Sequence, residues 1–131
     1  MNKQTNGFTV IEIVFVALIM GIASVLFFIQ KNELEISHRD NTAKTAINAM
    51  YYSLEEVFYT ANKFYPQSIS TDNLKSVDPV LFTDSNGIKL GSVGSTYIYK
   101  PTNCNDNRCK SYTLKAILEN EADYIKKSIN N

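Results

Sequence analysis

Few residue types in this chain can do chemistry, and their spacing limits it further. The 131 residues include one histidine and two cysteines. Cys104 and Cys109 are separated by four residues, which fits neither a redox Cys-x-x-Cys motif nor a complete zinc set. A disulfide and two free thiols both remain open on spacing alone. His38 sits between Ser37 and Arg39 with no second histidine, so it reads as a solvated side chain. Asp84-Ser85-Asn86-Gly87 and Asn105-Asp106-Asn107 are oxygen-rich turns. Their glycine comes too early and their carboxylates are too few for an EF-hand loop. No nucleophile, general base or metal set is visible, so an enzyme is not expected. That leaves Glu12, the only charged residue among the 22 from Phe8 to Ile29.

The segment around Glu12 must position it. The run FTVIEIVFVALIMGIASVLFFI is apolar on every side, so lipid or other helices must surround it. At about 1.5 Å per residue it spans roughly 33 Å, enough for a hydrocarbon core of about 30 Å. A domain this small has too little apolar surface elsewhere to wrap such a helix as its core. A removable secretory signal has an apolar stretch of about 7–15 residues, and here the run continues past Ala23-Ser24 to Ile29. A plain membrane anchor satisfies the length but leaves Glu12 without a reason. A carboxylate inside such a segment costs roughly 2.5–3.5 kcal/mol on insertion scales, softened near its end, and usually marks a partner or a pathway.

The following elements are ordinary by comparison. Residues 30–44 are largely polar, and then Ala43, Ala46, Ile47, Met50, Tyr51, Leu54, Val57, Phe58, Ala61 and Phe64 recur every three or four positions, one face of a helix. Pro66 supplies the stop. Continuous from Phe8 to Tyr65, that helix would be about 87 Å long, and half of it would protrude from any domain it served. Beyond it, Ser95–Lys100 and Tyr112–Leu118 alternate and are rich in aromatic and branched residues. Two to four antiparallel strands across the amphipathic helix are expected, with the tail 119–131 as a short helix or a mobile end. With 13 basic and 13 acidic residues, bulk charge favours neither nucleic acid nor an anionic surface. The C-terminal third is locally basic through Arg108, Lys110, Lys115, Lys126 and Lys127, diluted by Glu119, Glu121 and Asp123.

Gly7-Phe8-Thr9-Val10-Ile11-Glu12 and the apolar run behind it resemble the N-terminus of type IV prepilins, a pattern shared by pilins, minor pilins and the pseudopilins of type II secretion and competence systems. The pattern is a short polar leader, a glycine, an aromatic residue, an acid four residues later and about 20 apolar residues. Gly21 falls where the family commonly has glycine, whereas Ile29 stands where many members carry a helix-bending proline, which implies a straighter anchor.

The resemblance implies an α+β type IV pilin fold, a long N-terminal helix whose apolar half protrudes and whose amphipathic half packs on a small antiparallel sheet. It divides the chain into a leader (1–7), a membrane and filament-core helix (8–29), its amphipathic continuation (30–65) and a region of strands and loops (66–131). A prepilin peptidase would cut between Gly7 and Phe8 and methylate the new amine on Phe8. Glu12 would then pair with that amine on a neighbouring copy, because a slipped neighbour leaves two buried charges unmatched. The implied partners are other copies and related pilins, the peptidase, an inner-membrane assembly platform and lipid. The implied location is the cytoplasmic membrane and then a cell-surface filament. With that compartment, Cys104 and Cys109 are expected as a disulfide resembling the C-terminal loop of many pilins. No cofactor is expected; calcium, bound by some pseudopilins in C-terminal loops, is the one ion the turns would suit. Competence pili bind DNA, and the basic residues with Tyr97, Tyr99 and Tyr112 would be the surface for it. A pseudopilin, or a non-polymerising membrane-anchored DNA-binding or adhesive module, is the competing reading.

Overall fold

The computed structural model describes residues 8–130. The fold is α+β, a long N-terminal helix with a small antiparallel sheet packed on its later part, an arrangement consistent with the pilin fold. Helix α1 (Val10–Tyr52) runs into a π-helical stretch (Ser53–Tyr59) and a last turn, α2 (Thr60–Asn62). Strands β1 (Tyr65–Pro66), β2 (Tyr97–Asn105), β3 (Arg108–Ala116) and β4 (Tyr124–Lys127) follow, with a 3-10 turn at Pro79–Phe82 between β1 and β2.

The chain divides into two compact units, one ending at Glu35 and the other beginning at Ile36. In the first, every described residue from Phe8 to Glu35 is exposed. Its helix handles polarity locally: Ser24 Oγ donates to the Met20 carbonyl at 2.8 Å, and Lys31 pairs with Glu35 one turn on.

The second unit holds the core. Ala43, Ala46, Ile47, Met50 and Leu54 present the expected stripe to Tyr112, Leu114 and Ala116 of β3 and to Tyr65 and Tyr97. Strand β3 is central. β2 lies antiparallel along one edge, from Tyr97 opposite Ala116 to Asn105 opposite Arg108. β1 and β4 share the other edge, β1 at Arg108–Cys109 and β4 at Thr113–Ala116. Residues 112, 114 and 116 are buried while their neighbours are partly exposed, the period-2 signature of a half-covered sheet. The two-residue β2–β3 turn, Asp106-Asn107, has positive φ at both positions (46° and 65°), which the short polar side chains tolerate and a twisted hairpin requires.

The structure corrects three expectations. The helix ends at Asn62 rather than Tyr65, because Lys63 turns left-handed (φ 63°) and Tyr65 pairs with Cys109. The stripe breaks beyond Leu54: Val57 and Ala61 are exposed, and Glu55 is inside. A π stretch takes more residues per turn than an α-helix, so later side chains rotate out of the phase set before it. The C-terminal tail is neither helical nor loose at 124–127, where it forms β4.

Candidate functional site

The candidate site is the start of α1. Gly7, the expected cleavage position, lies outside the described residues. Phe8 and Thr9 precede the helix, and the Thr9 carbonyl accepts the Glu12 and Ile13 amides at 3.0 and 3.2 Å, starting the first turn. Glu12 falls in that turn, where the positive end of the helix dipole favours a negative charge. Thr9 and Glu12 also have the spacing of a capping box, yet neither side chain makes the reciprocal bonds to backbone that such a box needs.

Glu12 instead lies in a shallow groove with Phe8, Ile13, Val16, Ala17 and Met20. Among the described residues its carboxylate has no hydrogen-bond or ion-pair partner. Phe8 is 76% exposed, and the large apolar residues from Val10 to Ile29 all stay at least half exposed. The helix that carries them is long and apolar enough to cross a membrane. Chemically, the segment is an apolar surface with one anion near its end, suited to burial against lipid or other helices and to pairing with a cation.

Cys104 and Cys109 form a disulfide across the β2–β3 hairpin, facing each other in register next to its turn. Of the two oxygen-rich turns, the first is occupied by its own backbone. Asp84 Oδ1 accepts the Asn86 and Ile88 amides at 3.0 and 2.9 Å, and Oδ2 accepts the Thr96 amide and hydroxyl at 2.8 and 3.1 Å. Burial pushes the Asp84 carboxyl up, but the donors from Thr96, Ile88 and Asn86 outweigh it and hold the acid below its usual range. Among the described residues no group of three His, Cys, Asp or Glu side chains is arranged to hold a metal.

Two of the three tyrosines named for a DNA-binding surface do not reach the surface. Tyr97 and Tyr112 are core residues, 2% exposed each. Lys115 pairs with Asp123 at 2.9 Å, and Lys126 lies over the rings of Tyr51 and Tyr124. His38 is exposed, as read from the sequence.

Two buried acids were missed. Asp40, 3% exposed, accepts the Glu119 and Asn120 amides at 2.9 and 3.2 Å. Glu55, 6% exposed, accepts the hydroxyls of Tyr65 and Tyr112 at 2.8 Å each, the Ile129 amide at 3.3 Å and the Asn130 side chain at 3.4 Å. The sequence carries no local signal for Glu55: its tyrosine donors are Tyr65 and Tyr112, 10 and 57 residues away.

Comparison with family models, with curated proteins and with solved structures returns no match.

Proposed function

We propose that this chain is a structural subunit of a type IV pilus-like filament. In this reading the segment 8–29 anchors it in the cytoplasmic membrane. Cleavage after Gly7 and methylation of Phe8 then prepare it for extraction into a helical polymer. The observation that carries the reading is Glu12. It is an acid with no partner among the described residues, on an otherwise apolar and exposed segment, four residues from the position where the motif places a new cationic amine.

The physics follows from the cost of an unmatched charge. In a monomer anchored in lipid, Glu12 sits near the segment's end and reaches the interface. Once helices pack against one another it is removed from water, and pairing with the Phe8 amine of a neighbour offsets the desolvation. Removing one partner of such a buried pair typically costs about 3–5 kcal/mol, which makes the pair a device for register as well as attraction.

The test uses Glu12→Leu and Glu12→Ala in cells that hold the prepilin peptidase. Both variants should stay in the membrane fraction and be lost from sheared surface filaments. Incorporation at the normal level would refute the pairing and favour a solitary anchored module. Mass spectrometry of the mature chain should find Phe8 as its first residue with one added methyl; an intact Met1 there would remove the processing step.

A further inference from the structure

The second unit carries a feature on which the proposed anchoring and assembly do not call. Where α2 gives way to β1, a groove of about 430 Å3 opens beside the β2–β3 hairpin. Lys63, Arg108 and Lys110 line it together with Asn103, Asn105 and the rings of Tyr59 and Phe64, and none of its lining residues is an acid.

Three observations make this more than a solvated patch. First, its cations enter no ion pair among the described residues. The four ion pairs among the described residues use Lys31, Arg39, Lys44 and Lys115, and none involves Lys63, Arg108 or Lys110. Asp106, the nearest acid in sequence, lies at the hairpin tip outside the lining.

Second, the groove is pre-organised. The Arg108 guanidinium lies 5.0 Å from the Phe64 ring centroid, and the Lys63 ammonium 6.0 Å from that of Tyr59. Rings in those places hold long cationic side chains that would otherwise lose rotamer freedom on binding. The Cys104–Cys109 bridge fixes the spacing of the strands that carry Asn103, Asn105, Arg108 and Lys110. Lys63 itself occupies a left-handed position (φ 63°) that glycine or asparagine would take more easily.

Third, the polar groups select among anions. Asn103 and Asn105 are exposed, and their amides bond to nothing among the described residues, so they present both donors and acceptors to hydroxyl groups. The rings, by contrast, are already engaged. Tyr59 stacks on buried Tyr65 at 4.8 Å and Phe64 packs edge-on against Phe58, in addition to the cations they carry. A nucleic acid strand gains from aromatic faces open to its bases, and here each ring already has a cation and a neighbouring ring against it. A planar guanidinium matches a carboxylate through two parallel bonds.

We propose that this groove binds an acidic polysaccharide, with Arg108 and Lys63 pairing its carboxylates and Asn103 and Asn105 bonding its hydroxyls. The proposal stands independently of the assembly reading, since no residue of the groove belongs to the apolar segment.

The experiment is titration calorimetry on the full chain in zwitterionic detergent micelles, with oligogalacturonate, dextran of equal length and oligothymidylate as probes. Oligogalacturonate should bind and dextran should not. Lys63→Gln with Arg108→Gln should weaken binding at least tenfold and flatten its salt dependence, while Lys89→Gln, outside the groove, leaves both unchanged. The thermal midpoint serves as the folding control, and Lys110→Gln alone, with a several-fold loss expected, substitutes if the double variant fails it. Absent binding of oligogalacturonate, equal binding of dextran, unchanged affinity in the folded variant, or tighter binding of oligothymidylate each overturns the proposal.

Discussion

The Tyr112 hydroxyl donates to Glu55 Oε1 at 2.8 Å across 57 residues of sequence, joining the π-helical turn to the central strand. Tyr65 from β1 donates to the other carboxylate oxygen at the same distance, and the tail adds the Ile129 amide and the Asn130 side chain. One buried acid therefore ties helix, two strands and the C-terminal tail together. Removing it strands two buried hydroxyls, each worth about 1–3 kcal/mol when unpaired. Glu55→Ala should destabilise the second unit by about 3–5 kcal/mol, read as a lowered denaturant midpoint in the tyrosine near-ultraviolet signal. Tyr65→Phe should cost less, because the acid keeps its other donors.

The same tyrosines set an alkaline limit. Burial, chiefly, pushes the Tyr65 hydroxyl up to about 12, with Glu55 adding to the rise. Burial and then Glu55 raise Tyr112, and burial raises Tyr99. Since the folded state favours the neutral phenol, the stability linked to these groups is fully present below the ordinary tyrosine value of about 10. It is lost as pH rises through the shifted range. Tyrosinate absorbance should therefore show the buried group ionising together with unfolding above about pH 10. Glu55→Gln should lower the denaturant midpoint of the second unit at each pH below that alkaline transition.

The stretches that could be read from sequence are those in which local period and burial agree. The stripe from Ala43 to Leu54 lies on the core, and the alternation at Tyr112, Leu114 and Ala116 faces it. Glu12 stood out because a charge in an apolar run has no local justification. What escaped depends on distant partners. Val57 and Glu55 exchange places because the π turn shifts the helical phase, and nothing local announces it. β4 exists because β3 leaves an open edge at Thr113–Ala116, a relationship between residues about ten apart that the polar tail does not encode in its own pattern. Asp40 falls in the largely polar stretch 30–44 and shows no sign of burial there, because its partners, the Glu119 and Asn120 amides, lie about 80 residues away.

Asp84 makes the loop between the 3-10 turn and β2 sensitive to acid. Its carboxyl is held low by amides from Thr96, Ile88 and Asn86 that overcome its burial. A depressed acid contributes stability above its unfolded value, 3.8, and that contribution is lost as pH falls through the folded value. Hydrogen exchange at the Ile88 and Thr96 amides, corrected for intrinsic rate, should quicken as pH falls below about 4. Asp84→Ala should produce that quickening at neutral pH, while protection across β3 changes little.

Asp40 and Arg39 provide a paired test of burial against charge. They are adjacent on α1 and both hold the segment after β3: Asp40 through two backbone amides, Arg39 through both oxygens of Glu119 at 2.6 and 2.8 Å. The Arg39 hydrogen bond, chiefly, holds the Glu119 carboxyl below its usual range. That pair is well exposed, so salt screens it and holding two long side chains in place offsets much of its attraction. Asp40 is buried, and losing its carboxylate leaves two amides with no acceptor. Asp40→Ala should cost about 1–3 kcal/mol, with an effect that persists in high salt and faster exchange at Glu119 and Asn120. Arg39→Ala should cost less, and its effect should fade as salt is added. Equal losses from the two variants, both abolished by salt, would mean that charge rather than the buried acceptor fastens this segment to the helix.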